Sequence, residues 1–98
     1  REPGHAEPLF AALKEGLIDI LSTDHAPHLP EEKRRGSIWD TAPGFPGVET
    51  SMRLMLTLVS RGRMSLGDYV RMACAAPARA FGLYPRKGAL AVGSDADI

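Results

Sequence analysis

Ninety-eight residues allow one small domain or a piece of a larger one, and an apolar content of 44% is ordinary for a globular chain and excludes a disordered one. Twelve basic side chains balance twelve acidic ones, so charge gives no reason to expect nucleic acid or an anionic membrane as partner. The sequence has no run of about 18 apolar residues and no charged-then-apolar leader, and its one cysteine, Cys74, allows no internal disulfide, a usage that suits the cytoplasm.

The chain opens at Arg1 without an initiator methionine and stops at Asp97-Ile98 in what reads as a strand, so both ends are read as cuts through a longer protein. Glu7 to Glu15 reads as a short helix with Pro8 in its first turn, Leu9, Phe10 and Leu13 on one face, and Gly16 to end it. Residues 17–22 (Leu-Ile-Asp-Ile-Leu-Ser) read as a short strand of the parallel-sheet kind, with both faces covered. Residues 23–47 form a long loop in which Pro27, Pro30, Pro43 and Pro46 rule out regular structure. A loop of that length in a compact domain is usually functional, and it follows the end of a strand, where barrel enzymes build their sites.

Val48 to Ser60 reads as a second helix, with Leu54, Met55 and Leu58 on one side and Met52, Leu56 and Val59 widening the apolar face; Arg61-Gly62-Arg63 ends it. Ser65, with Asp68 three residues on, has the pattern of an N-cap opening a third helix through about Ala75. Pro77 to Phe81 is a further turn closed by Gly82. Residues 87–92 read as a strand, followed by the turn Gly93-Ser94-Asp95.

The chemistry is concentrated in Ser22-Thr23-Asp24-His25-Ala26-Pro27-His28, with Lys33 five residues beyond. A carboxylate where a strand opens into a loop can bind a divalent metal and can accept a proton from water. By itself, an Asp after a strand is more often a turn former or cap. Pro27 stiffens the turn and presents His28 from the same mouth, where it can donate a hydrogen bond to an anionic group or an amide oxygen. His25 is read first as packing or support and second as a direct ligand. Lys33, Arg34 and Arg35 read as solvated loop charges, Lys33 with a structural ion pair. Trp39 and Phe45 either shape a pocket or anchor the loop, and Cys74 reads as a small buried residue.

The string Thr23-Asp24-His25-Ala26-Pro27-His28-x-x-x-x-Lys33 resembles the dihydroorotase signature. The resemblance continues through the loop Ala42 to Thr50, Leu56-Thr57, Arg61-Gly62-Arg63, Pro77-Ala78-Arg79, Phe81-Gly82-Leu83 and Lys87-Gly88, and ends in Val92 to Asp97, which is similar to a tail shared across amidohydrolases. Ser22 and Ala76 depart from the usual pattern in minor ways, and the chain has no His-x-His pair.

The resemblance implies an α/β fold: the C-terminal part of a (β/α)8 TIM-type barrel over residues 1–83, leading into the start of a small β-domain over 84–98. It implies a dihydroorotase-type hydrolase that interconverts N-carbamoyl-L-aspartate and L-dihydroorotate in pyrimidine biosynthesis, with one or two Zn2+ ions per full-length site. Asp24 matches the family's metal-binding general base and acid, His28 its substrate-carboxylate binder, and Pro43 and Gly44 the loop that touches substrate. The partners implied are the small-molecule substrate, the rest of the barrel chain, and either a second copy or aspartate transcarbamoylase. Two other readings stay open: a hydantoinase or allantoinase on the same barrel, and a non-catalytic dihydroorotase-like scaffold of aspartate transcarbamoylase. The 98 residues alone are expected to be inactive.

Overall fold

The computed structural model describes residues 4–34 and 36–97, so that Arg35, read above as a loop charge, and the strand end at Ile98 lie outside the described residues. The order of helices is α1 (Ala6–Lys14), α2 (Pro30–Lys33), α3 (Val48–Ser60), α4 (Leu66–Val70), a π-helical turn (Arg71–Ala75) and α5 (Ala76–Ala80). The last three run on as one rod from Leu66 to Ala80.

Each of the glycines expected to stop a helix does so by the same closure. At the end of α1, Gly16 takes φ 79°, its N–H donates to Leu13 O and the Leu17 N–H donates to Ala12 O. This is a Schellman motif, which needs the left-handed backbone that glycine adopts without strain. Gly62 after α3 and Gly82 after α5 repeat the pattern, with Arg63 N–H donating to Leu58 O and Leu83 N–H to Ala78 O. The Ser65 cap also forms. Its Oγ accepts from the Asp68 N–H at 3.0 Å and donates to Asp68 Oδ2 at 2.6 Å, which holds the Asp68 carboxyl below its ordinary range.

Several expectations need correction. Neither 17–22 nor 87–92 forms a strand; among the described residues the β-structure is a single parallel bridge between His25 and Phe45. A strand is defined by its ladder, and residues 17–22 have no neighbouring strand to pair with. The segment 23–47 is not wholly irregular either, because Pro30 occupies the first turn of α2, where its missing N–H costs nothing. Finally, Cys74 is exposed rather than buried.

The rod's π turn has a cause in the sequence. Pro77 lacks an N–H and its ring would crowd the carbonyl of Ala73 four residues back, so the helix widens, and Ala76 N–H reaches five residues back to Arg71 O. Met72 O thereby loses both helical donors, Ala76 to Arg71 and Pro77 by its chemistry. Leu21 N–H supplies the bond instead, at 3.2 Å. The widened turn thus holds the segment that leads to Asp24.

The core is small. Leu13, Met64 and Met72 form its buried centre, with Phe10, Ile18, Leu21, Met55, Leu58, Val59 and Tyr69 packed around it. Met55, Leu58 and Val59 are therefore the inward residues of α3, while Leu54, expected on that face, is exposed. Arg63 joins the ends of α1 and α3: its Nη2 donates to both carboxylate oxygens of Glu7, at 2.9 and 2.6 Å, and its guanidinium lies over the Phe10 ring.

Candidate active site

Asp24 is the one non-glycine residue with positive φ among the described residues, at 45°. The left-handed region costs an ordinary L-residue about 1–2 kcal/mol, and Asp and Asn tolerate it best. Strain of this kind persists only where the surroundings impose it, and it gathers at functional sites. The surroundings that impose it here can be named one by one.

Upstream, the Leu21–Met72 bond ties the approach to the rod. Downstream, the chain runs beside a strap formed by residues 42–47. Ala26 N–H donates to Phe45 O at 3.2 Å, within the His25–Phe45 bridge. His25 Nδ1 accepts from the backbone N–H groups of Gly47 at 3.0 Å and Val48 at 3.2 Å. Those groups open α3, where helical donors have no partner within the helix, so the imidazole caps α3 from a distance. An Nδ1 that accepts leaves Nε2 as the protonated nitrogen of the neutral ring.

Lys33 and Gly44 complete the strap. Lys33 Nζ donates to Ala42 O at 2.8 Å and also to Gly44 O. Among the described residues the ion pair expected of it is not found; it binds two carbonyls instead. Gly44, at φ 93°, lies so close to the Asp24 segment that a Cβ there would stand 2.5 Å from the Ala26 Cβ. Pro43 is exposed between the two carbonyls that Lys33 holds. His28 lies just before α2, its Nδ1 3.4 Å from Glu32 Oε2, and Glu32 O in turn accepts from Ala42 N–H.

The structure therefore brings Gly44 against Ala26, two residues after Asp24, with Pro43 next to it in the strap, and links His28 to the same strap through Glu32. The Asp24 carboxylate is exposed and has no hydrogen-bond or ion-pair partner among the described residues. Phe45 is 71% exposed and Trp39 91%, so neither is an anchor within this chain. Sequence reasoning read His25 as packing or support without finding the N–H groups it binds, and it expected an ion pair of Lys33 in place of two carbonyls. The Lys33 contacts are to backbone carbonyls, which leave no trace in side-chain identity.

Chemistry and concavity do not coincide. A cavity of about 500 Å³ lies between the rod and residues 83–97, lined by Val70, Cys74, Pro77, Phe81 and Leu90 among others. A second, of about 520 Å³, lies beside Glu7, Phe10 and Arg63. Neither holds a residue of the Asp24 region, whose geometry and chemistry outweigh the shape of these hollows. Among the described residues no three His, Cys, Asp or Glu side chains converge as a metal site would require. Asp24 has the chemistry of a single ligand, and the residues present do not make up a set.

The family model described as "Amidohydrolase family" matches residues 2–98. A dihydroorotase of Methanothermobacter thermautotrophicus is 58% identical over 81 residues, which cover 83% of this chain and 18% of that protein. An L-hydantoinase of Paenarthrobacter aurescens is 47% identical over 93 residues, 92% of this chain and 20% of that protein. Among solved structures, a D-hydantoinase from Bacillus sp. AR9 superimposes with a TM-score of 0.91 at 37% identity, covering 99% of this chain and 22% of that one. The chain spans about a fifth of the length of the relatives it matches.

Proposed function

The chain belongs to the amidohydrolase family, and from that premise we propose that it is part of a cyclic-amide hydrolase to which it contributes the acid–base carboxylate, Asp24. The observation that carries this reading is the backbone of Asp24, held at φ 45° by bonds on both sides, with its carboxylate exposed and without a partner among the described residues. A cap or turn former would spend its oxygens on nearby N–H groups, as Ser65 does.

The work proposed for this chain is proton transfer. Asp24 accepts a proton from the attacking water as the new C–O bond forms at the ring carbonyl. It returns that proton to the ring nitrogen as the C–N bond breaks, so one group serves as base and then as acid. Zinc, the metal proposed, when bound supplies the Lewis acidity that brings a water's pKa to about 7. Asp24 is the residue of this chain that would hold it, and its other ligands are assigned to the longer protein of which this chain is proposed to be the C-terminal barrel portion.

For substrate we propose L-dihydroorotate and N-carbamoyl-L-aspartate. His28, four residues after Asp24, can donate to a substrate carboxylate, with Pro43 and Gly44 as the adjoining wall; the 58% identity to a dihydroorotase supports the same choice. The 47% identity to an L-hydantoinase and the superposition on a D-hydantoinase favour hydantoin-type rings as the second reading. Full-length protein assayed with dihydroorotate, hydantoin and allantoin decides between them. Preferred turnover of dihydroorotate is expected, and preferred turnover of hydantoin or allantoin would overturn the substrate assignment.

A further inference from the structure

We propose that His25 and Lys33 are positioning residues, two clamps that hold the strap 42–47, His25 to residues 23–26 and Lys33 to α2, and so fix the direction in which Asp24 presents its carboxylate. The proposal rests on the reading of Asp24 as the acid–base group.

Both clamps are made by side chains on backbone atoms, and they grip the strap at opposite ends. Lys33 takes the carbonyls of Ala42 and Gly44 at its start. His25 takes the N–H groups of Gly47 and Val48 at its end. Between them the strap is joined to the Asp24 segment by one backbone bond, Ala26 N–H to Phe45 O, and by the close approach of Gly44 to Ala26. The strap carries Pro43 and Pro46, which have no N–H to offer a ladder, so backbone pairing cannot extend and side chains must take over. Asp24 adjoins His25 directly and occupies a strained backbone region, which relaxes toward ordinary φ once its neighbour is released.

The two clamps also have chemistry matched to their partners. A lysine ammonium has only donors and binds two carbonyls; an unprotonated imidazole nitrogen accepts and binds two N–H groups. Exchanging either for a side chain of similar bulk without that function removes the grip and keeps the volume. Exchange for Arg, which donates, or Asn, whose Oδ1 accepts, preserves part of it.

The test uses the full-length protein with Lys33→Met, Lys33→Arg, His25→Leu, His25→Asn and, separately, Asp24→Asn. Amide hydrogen exchange over residues 23–48 and the division of any activity loss between kcat and KM are measured, with metal content as control. We expect Lys33→Met and His25→Leu to speed exchange of Ala26, Gly47 and Val48 by about tenfold or more, the scale of a lost charge-assisted or helix-end hydrogen bond. The loss should appear in kcat with metal content unchanged, and Arg and Asn should restore it in part. Unchanged exchange in both Met and Leu variants, or a loss confined to KM, overturns the proposal. Should the Met and Leu variants fail to fold, the Arg and Asn variants decide: kcat and exchange no closer to the parent than for Lys33→Ala and His25→Ala would overturn it. Asp24→Asn separates the two readings. Retained turnover in that variant removes the catalytic role of Asp24, while the exchange data report on the clamps independently.

Discussion

Asp24 illustrates how far one position can be read from its neighbours in sequence. Its residue type and the string around it suggested a site, yet what sets it apart from an ordinary turn aspartate is a backbone angle that no sequence pattern displays. His28 was singled out as the side chain that Pro27 presents beyond the turn, and its role came from the resemblance rather than from spacing. Its role as carboxylate binder gives a sharp expectation: His28→Ala weakens binding of an acidic substrate by about 1.5–3 kcal/mol, the scale of one charge-assisted hydrogen bond. Substrate affinity and metal content measured together check it. Unchanged affinity with lost metal would make His28 a ligand instead. His25 and Lys33 were less legible, because each acts on main-chain atoms of a segment 9–23 residues away in sequence.

At the scale of elements, starts and stops written in local chemistry came through. Ser65, Gly16, Gly62 and Gly82 each end or begin a helix as their side chains or backbone freedom dictate. Strands at 17–22 and 87–92 did not form, since a strand depends on partners that a local pattern cannot supply. The π turn was hidden for the opposite reason: Pro77 was visible, but its effect on the carbonyl of Met72 is a matter of geometry. Ser65→Ala is expected to cost about 1 kcal/mol, with Ser65→Asp retaining most of it, measured by denaturant unfolding of the full-length protein. Equal stability of parent and Ala variant would show that the cap is idle.

The segment after α5 is held by charge. Lys87 pairs with Asp95 at 2.8 Å and also with Asp97; Asp95 and Asp97 hold its ammonium above the ordinary 10.5, and its hydrogen bond holds the Asp95 carboxyl below 3.8. A depressed acid stabilises above its ordinary value and ceases to do so as pH falls through its lowered one. A raised amine stabilises below its ordinary value and ceases as pH rises through its raised one. The pair therefore supports residues 87–95 between these limits. The Asp95 carboxyl should titrate below 3.8 by NMR and rise toward that value in Lys87→Met. An unchanged midpoint would mean that the pair does not persist in solution.

The molecule as a whole is open. Its radius of gyration is 16.7 Å over extents of 54 × 31 × 22 Å, against about 13 Å for a compact chain of 100 residues. Leu17, Ile38, Phe81 and Leu90 are exposed, the last at 85%, and the buried apolar residues among those described are Leu13, Met64, Met72 and Ala78. Apolar surface on this scale calls for cover, and other parts of a longer protein are proposed to supply it. The isolated 98 residues are accordingly expected to bind zinc weakly and to show no turnover of dihydroorotate. Tight stoichiometric zinc together with turnover would show a self-contained site and contradict that view. No helix among the described residues is long and apolar enough to cross a membrane.

The claim on which the rest depends is that Asp24 moves the proton in cyclic-amide hydrolysis. It is tested most directly by comparing ring-opening of dihydroorotate, hydantoin and allantoin by the full-length parent and by its Asp24→Asn variant, with fold and metal content verified in both. The amide fills the same space but cannot take the proton, so turnover of whichever ring the parent opens should fall to background in a folded variant. Near-parental turnover by a folded, metal-loaded Asp24→Asn protein would contradict the account.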